Sequence, residues 1–364
     1  MKIYFDPQVF LLQQYGGISK YFKNLIKVFF DNPDLNVEPV FSSSPKDNLF
    51  LVDLLLNTDL THPFKNRSKL KIIKMINNKN LPSFDLMHFT YYLPSRFIYH
   101  KTFKSVSTIH DFTPETLYSK FDLNRYMHYA KLSYIKHSSG LIFVSNHTRN
   151  LVSKIYPSII LPKNKVIHHG VSPQSNVKTS TVDNEVPFFF YVGNRNGYKN
   201  FNQLLLAFAK FSKKHLVFLL CFGGGQFTKE ENVLISRLNL NSFVKHVGSD
   251  EKDLEKYFGS ALAFINPSVE EGFGMTNLEA LSCGTAVLCS DISIFREILS
   301  DKSYYFNPQN TESIYLQMLR IFQNPLSDHK KRELVNFSNK YNWITAARKT
   351  SSFYESLLNQ KILN

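Results

Sequence analysis

Cysteine is scarce in this chain. Cys221, Cys283 and Cys289 are the only three in 364 residues. An odd number of thiols embedded in apolar runs, without Cys-x-x-Cys spacing, excludes a disulfide framework and a zinc-type ligand set. They read as buried free thiols and are assigned no role. No apolar stretch reaches the roughly 18 residues that a membrane-spanning helix needs. The opening Met1-Lys2-Ile3-Tyr4-Phe5-Asp6 reads as a strand rather than a secretion signal, so the protein is expected in the cytosol. Internal repeats and low-complexity tracts are missing too, which argues against a solenoid or a disordered tail.

Negative charge is in short supply. Against 43 Lys and Arg stand 29 Asp and Glu, a net of +14. Residues 1 to 170 hold 22 basic side chains and 11 acidic ones, so the excess sits early. Its densest stretch, Phe64 to Asn80, sets Lys65, Arg67, Lys69, Lys71, Lys74 and Lys79 among Leu70, Ile72, Ile73, Met75 and Ile76. That mixture suits peripheral docking on anionic lipid, where each basic residue contributes about 1 kcal/mol. It equally suits a solvated helix face in a chain rich in Lys and Asn. Nucleic acid is not expected as a partner, because the cluster's apolar companions are aliphatic and no recognised binding motif accompanies them.

The chain does have enough length and apolar content, 43% hydrophobic and 20% charged, for two globular cores. Strand-like runs recur at Lys2 to Asp6, Val37 to Phe41, Phe84 to Phe89, Ser105 to His110, Leu141 to Ser145 and Lys165 to His169, with helical stretches between several of them. A second series covers Phe188 to Gly193, Leu216 to Gly223, Val244 to Gly248, Ala261 to Pro267, Ala286 to Ser290 and Tyr304 to Phe306. This is α/β twice over. The stretch Ser172 to Val186, rich in Ser, Thr, Asn and Pro without apolar periodicity, reads as a linker. The expected division is therefore a first domain at 1–171, a linker at 172–186 and a second domain at 187–341. A terminal amphipathic helix at 342–364 carries Trp343, Phe353, Tyr354 and Leu357.

The most informative segment is Glu270 to Ala280, Glu-Glu-Gly-Phe-Gly-Met-Thr-Asn-Leu-Glu-Ala. It follows the apolar run Leu262 to Pro267 and leads into a helical run through Leu281, so Gly272 and Gly274 fall at a strand-to-helix turn, where open parallel sheets bind ligands. Glycines there let an anion approach the backbone, and the free N–H groups of the first helical turn favour negative charge. Glu271 and Glu279 have seven residues between them, about 12 Å if all of the intervening chain were helical. Two carboxylates beside an anion site suit hydroxyls on either side of it, as in a nucleotide sugar with ribose at one end and a hexose at the other. Residues 187 to 200 pair an apolar strand with a turn bearing Arg195 and Lys199, then a helix with Leu204, Leu205, Phe208 and Phe211 inward. A departing nucleoside diphosphate needs its charge neutralised by a metal or by fixed Arg and Lys donors.

The Glu-x7-Glu segment resembles the signature of retaining glycosyltransferases of family 4, which have the GT-B fold. The resemblance implies two Rossmann-like domains facing each other across a cleft, with the C-terminal helix crossing back to the first. It implies Arg195 and Lys199 as clamps on the donor diphosphate, assisted by the backbone of Gly272, Phe273, Gly274 and Met275. Glu279 would hold the ribose, Glu271 a sugar hydroxyl, and Val247, Gly248 and Ser249 the base. No Asp-x-Asp metal handle occurs, so neither metal nor cofactor is expected. No carboxylate pair reads as a glycosidase acid and nucleophile.

In the first domain, Gly16 and Gly17 open a helix and let backbone approach a phosphate or acceptor, matching a Gly-Gly loop of the family. His110 and Asp111 end a strand. The family carries a His there that contacts donor sugar or acceptor, and Asp111 is open to orienting His110 or to taking a bond from the acceptor hydroxyl. His168 and His169 are read as structural. The run from Phe5-Asp6-Pro7-Gln8 to Tyr21 and the Thr108 to Asp111 run are similar to bacterial transferases of O-antigen and other surface polysaccharides, some of them mannosyltransferases. The expectation is transfer of a hexose from a GDP-sugar such as GDP-mannose to a lipid-linked or polysaccharide acceptor. It would proceed in the cytoplasm or on the cytoplasmic face of the inner membrane. The alternatives are another GT-B enzyme, such as a sugar-nucleotide epimerase or phosphorylase, or a non-catalytic nucleotide- or glycan-binding scaffold.

Overall fold

The computed structural model describes residues 1–12, 16–41, 81–100, 102–117, 126–171, 186–248 and 251–359. The basic stretch at 64–80, nearly all of the expected linker and Ser249 lie outside the described residues. The chain divides into one unit made of Met1–Gly170 with Trp343–Asn364 and another made of Val171–Asn342.

The first unit is built on β1 (Lys2–Phe5), β2 (Glu38–Val40), β3 (Leu86–Phe89), β4 (Lys104–Ile109), β5 (Gly140–Phe143) and β6 (Lys163–Val166). All pair in parallel in the order β2-β1-β3-β4-β5-β6. Strands buried on both faces read as continuous apolar runs, and Gly140 to Phe143 is buried throughout. The edge strands are the exceptions, β2 with an exposed first residue and β6 with alternating partial exposure. β6 starts and stops earlier than the apolar pattern suggests, leaving Ile167, His168 and His169 beyond the strand.

The Trp343–Leu358 helix belongs to this first unit, as the resemblance implied. Its buried residues recur every three or four positions, so one face packs inward. Tyr354 places its hydroxyl 2.5 Å from His88 Nδ1, and Ser351 Oγ donates to Leu35 O at 2.6 Å. The helix packs so closely on β5 that a Cβ at Gly140 would lie 2.7 Å from Leu357 Cδ1. At the start of the helix, a Cβ on Gly170 would lie 2.3 Å from the Trp343 backbone nitrogen; glycine is required there by proximity.

The second unit holds β7 (Phe188–Val192), β8 (Phe218–Phe222), β9 (Val244–Gly248), β10 (Ala263–Asn266), β11 (Val287–Ser290) and β12 (Tyr304–Phe306). The order is β12-β11-β10-β7-β8-β9, parallel throughout. The chain adds strands on one side of β7, then returns to its other side with β10. That reversal creates a crevice beyond the carboxyl ends of β7 and β10. The Phe201–Ser212 helix covers the sheet with Phe201, Leu204, Leu205, Phe208 and Phe211 buried. Each such side chain stabilises the core by about 1.5–3 kcal/mol, and Phe208→Ala would cost about 3–5 kcal/mol.

Candidate functional site

The loops after β7 and β10 meet at the switch point of the second sheet. Val269 N donates to Tyr198 O at 2.9 Å, tying them together. Beside that bond Lys199 Nζ stands 2.5 Å from Glu271 Oε1, with side chains 23% and 15% exposed, so the pair is half-buried and reachable. Lys199 ends a single 3-10 turn, Gly197–Lys199, closed by Asn200 at φ +56°. Asn200 Nδ2 donates to Pro308 O at 2.8 Å, anchoring the turn. Burial pulls the Lys199 ammonium toward neutrality, but Glu271, helped by Tyr198, holds its pKa above the ordinary lysine value. Lys199 is a cation at any physiological pH.

Gly274 caps the Met275–Ser282 helix in the left-handed region, φ +81°. A Cβ there would lie 2.7 Å from Phe295 Cε1. This fixes the turn so that the helix begins at Met275, two residues after the buried Phe273. Asn266 at the end of β10 donates from Nδ2 to Asn277 Oδ1 in the first helical turn, 3.1 Å away, and accepts from Ser268 N. Sequence reading missed both asparagines, since only the fold brings them together. Glu279 sits half-buried farther along the same helix. The two loops thus bring together a cation, a carboxylate and a helix N-terminus.

Arg195 departs from its expected role. Its side chain is 2% exposed. Nε donates to Glu231 Oε1 at 3.0 Å, Nη1 to Gly223 O at 3.0 Å, and Nη2 to Gly225 O at 2.8 Å and Gln226 O at 3.0 Å. The guanidinium is engaged with the loop after β8 and with Glu231. A burial this deep is stable only because each charge-assisted bond is made. Val247 and Gly248 end β9, one strand farther out; Gly248 lies at φ +125° and its carbonyl accepts from Gly223 N at 2.7 Å.

In the first unit Gly16 is the N-cap of the Gly17–Asp31 helix with φ −178°, an extended backbone that any residue adopts. No conformational need for glycine exists at that position; what remains is access, with Gly17 exposed. One turn on, Tyr21 packs against His110, ring centroids 5.2 Å apart. His110 is buried between Tyr21, Phe22 and His169, and both its ring nitrogens lack a hydrogen-bond partner among the described residues. Burial first, then the neighbouring His169, His88 and Lys131, push its pKa well below the usual histidine value. Asp111 does not orient it. The Asp111 carboxylate accepts from Thr113 N at 3.1 Å, and its carbonyl accepts from Lys131 Nζ at 2.8 Å. Lys131 in turn pairs with Glu115 at 2.9 Å, both side chains almost fully buried.

The first sheet has its own reversal between β1 and β3. Asp6 stands there, where Oδ1 accepts from Thr90 N at 2.8 Å and Thr90 Oγ1 at 2.7 Å, and Oδ2 accepts from Gln8 Nε2. Gln8 also donates to Tyr134 and accepts from Leu93 N at 2.7 Å. Burial raises the Asp6 pKa to about 6 despite those bonds. His169, beyond β6, is buried against Tyr21 and stacks near Trp343, the packing role read from the sequence.

Among the described residues, no three His, Cys, Asp or Glu side chains gather to hold a metal ion, and no helix is long and apolar enough to cross a membrane.

Residues 174–340 match the family model of glycosyl transferases, group 1. The chain is 23% identical over 292 residues to the O-antigen chain mannosyltransferase B of Escherichia coli, covering 75% of this chain and 76% of that protein. It is 25% identical over 221 residues to the O-antigen chain mannosyltransferase RfbU of Salmonella typhimurium, 60% of this chain and 61% of the relative. The chain thus spans about three-fifths of the latter's length. Among solved structures, a sucrose-phosphate synthase from Thermosynechococcus elongatus matches with TM-score 0.73 at 17% identity, over 98% of both chains. Anabaena HepE in complex with UDP-glucose matches with TM-score 0.71 at 15% identity, over 98% of this chain and 100% of that one. The fold is that of the GT-B glycosyltransferases, and the sequence resembles O-antigen mannosyltransferases.

Proposed function

We propose that this GT-B chain is a metal-independent retaining hexosyltransferase that moves a sugar from a nucleoside diphosphate to a lipid-linked or polysaccharide acceptor in surface-glycan synthesis. The observation that carries the reading is the Lys199–Glu271 pair at the β7/β10 switch point, next to a helix start opened by Gly274. A free ion pair gains little at a half-exposed site; a ligand that separates it can use both ends. Lys199 would turn to the diphosphate, joined by the N–H groups at Phe273 to Met275, while Glu271 accepts from a sugar hydroxyl and Glu279 from the ribose. The names of the two O-antigen mannosyltransferase relatives support mannose as the sugar, and GDP as its carrier is carried over from the sequence resemblance.

In the transfer, the bond from the anomeric carbon to the diphosphate oxygen breaks and a bond to the acceptor oxygen forms on the same face. The acceptor's proton passes to the leaving phosphate oxygen. Lys199 and the helix N–H groups stabilise the charge that develops on that oxygen. His110, neutral and with no partner for its ring nitrogens among the described residues, is the first unit's group for a sugar or acceptor hydroxyl. Work would take place in the cytoplasm or on the inner face of the membrane.

The test is thermal stabilisation by GDP, UDP, ADP and dTDP, each with EDTA and then with Mg²⁺, followed by transfer from the sugar nucleotide that the stabilising base identifies. One diphosphate that stabilises equally in EDTA supports the reading. Stabilisation by none, or only with metal, overturns the donor site as described. An epimerase would convert the free sugar nucleotide without any acceptor, so its product in an acceptor-free reaction would replace the transferase reading.

A further inference from the structure

The loop after β8 contains three consecutive glycines, Gly223, Gly224 and Gly225, at φ +74°, +66° and +72°. A side chain at Gly224 would put Cβ 2.6 Å from Gly193 O and 3.0 Å from Arg195 Nη1. The loop is pressed against the one that follows β7, and its carbonyls converge on a single guanidinium. Every peptide bond here is trans, so each carbonyl aimed at Arg195 makes the next N–H point the opposite way. The N–H groups of Gly224, Gln226 and Phe227 therefore lie on the side away from Arg195, and the weaker 3.4 Å contact of Gly224 O adds that of Gly225. None of the four donates to a backbone acceptor among the described residues. Gly224, Gly225 and Gln226 are exposed.

This outward donor edge stands at the carboxyl end of the sheet, between the loop that carries Lys199 and the end of β9. Two further ties hold it there. Gly223 N donates to Gly248 O, and Gly193 N donates to Phe222 O at 2.9 Å. Glu231 divides its carboxylate, giving Oε1 to Arg195 and Oε2 to Thr228 N at 2.7 Å, where Thr228 and Glu231 form the capping box of the Lys229–Arg237 helix. Arg195 thus links a helix cap to the turn. Three glycines in a row have large conformational freedom when released. A guanidinium that takes several carbonyls at once in fixed geometry is what a lysine ammonium cannot reproduce.

We propose that Arg195 is a positioning residue. It holds the Gly223–Gln226 turn in the form whose outward N–H edge receives acceptor atoms of the donor's nucleoside diphosphate, and it touches no substrate itself. The inference rests on the donor-site reading above and adds the residue that shapes its wall.

The experiment measures affinity for GDP and UDP in metal-free buffer, with donor KM and kcat, for wild type, Arg195→Lys, Glu231→Gln, Gly224→Ala and the double variants, each checked for folding by circular dichroism and melting temperature. Arg195→Lys should lose about tenfold in affinity and raise KM with kcat largely kept, as loss of a preorganised loop weakens binding by about 1.4 kcal/mol for each factor of ten. Glu231→Gln, which keeps size but replaces one of the two acceptor oxygens with an NH2 donor, should shift KM in the same direction by less. Arg195→Lys combined with Gly224→Ala should be hardly worse than either alone, because both disorder the same turn. Arg195→Lys combined with Lys199→Ala should multiply. Wild-type affinity in Arg195→Lys, or losses that multiply with Gly224→Ala, would overturn the positioning role while leaving the donor site standing. A wild-type protein that binds neither nucleotide would overturn the donor reading and this inference with it.

Discussion

Lys199 and Glu271, 72 residues apart in sequence, meet at 2.5 Å because the strands that precede them are neighbours in the second sheet. Each neutralises the other, so removing one changes what the other offers. Glu271→Ala should abolish transfer yet leave nucleoside diphosphate affinity unchanged or tighter, because the Lys199 ammonium is no longer shared. Lys199→Ala should weaken diphosphate binding by about 1.5–3 kcal/mol, the scale of a charge-assisted bond. Calorimetric titration of both variants, with a turnover assay on Glu271→Ala, checks the pair; wild-type turnover in that variant would sink its assigned role.

Gly274 has no room and no ordinary backbone for a side chain. Gly274→Ala should destabilise the second unit by about 1–3 kcal/mol from strain in the left-handed region, with added cost from displacing Phe295. Denaturant unfolding measures that loss. Nucleotide affinity should fall in parallel, since the helix start moves with the turn.

The buried Lys131–Glu115 pair is a liability when broken. Burial already raises the Glu115 pKa, and Lys131 is what opposes the rise. Lys131→Met should cost about 3–5 kcal/mol by leaving a carboxylate unpaired, whereas Lys131→Met with Glu115→Met should recover much of the loss. Urea unfolding of the single and double variants decides it. A double variant as unstable as the single one would contradict the account.

These sites show what a sequence gives up easily and what it withholds. The strands of both sheets are apolar runs broken by turn residues, so the architecture was legible, and the Glu271 to Glu279 segment carries its glycines and carboxylates in plain order, so the strand-to-helix turn at Gly274 was legible too. Arg195 was not. Its neighbours in sequence are Asn194 and Asn196, and nothing local says that carbonyls some thirty residues onward will claim it. Asp6 and Gln8 were noticed only as part of a resemblance, because their partners Thr90, Leu93 and Tyr134 come from distant elements. His110 was placed correctly at a strand end, but the absence of a hydrogen-bond partner for its ring nitrogens among the described residues, and the turning of Asp111 toward Thr113 and Lys131, follow from packing alone.

Three buried histidines set the acid behaviour of the first unit. Burial lowers His88 and His169 to about 3 and His110 well below its usual value, all from 6.5. They stay neutral when folded but take up protons when unfolded, so their contribution is complete above pH 6.5 and lost as pH falls toward 3. Asp6 works in the opposite sense. Its pKa is raised from 3.8 to about 6, so the folded state binds the extra proton in that window and offsets one histidine. Near pH 5 these four groups net roughly two protons, or about 2.7 kcal/mol of stability per pH unit, and Glu115, whose pKa burial raises, offsets in the same sense as Asp6. Unfolding midpoints between pH 7 and 4.5 should fall accordingly, and His110→Phe should flatten the slope by about one proton. A slope unchanged in that variant would show that His110 is not held neutral.

The helix that finishes the first unit is made after the entire second unit has been translated. Until Trp343–Leu358 leaves the ribosome, His88 lacks Tyr354, and the notch at Gly140 that receives Phe353 and Leu357 stands open to water. Domains generally fold as units during synthesis, first part first; here the part begun first is completed last. The nascent chain must carry an exposed apolar groove through roughly half of its own synthesis. Premature termination anywhere before Trp343 therefore strands a first unit that lacks one of its walls, a burden that falls on chaperones and proteases rather than on catalysis.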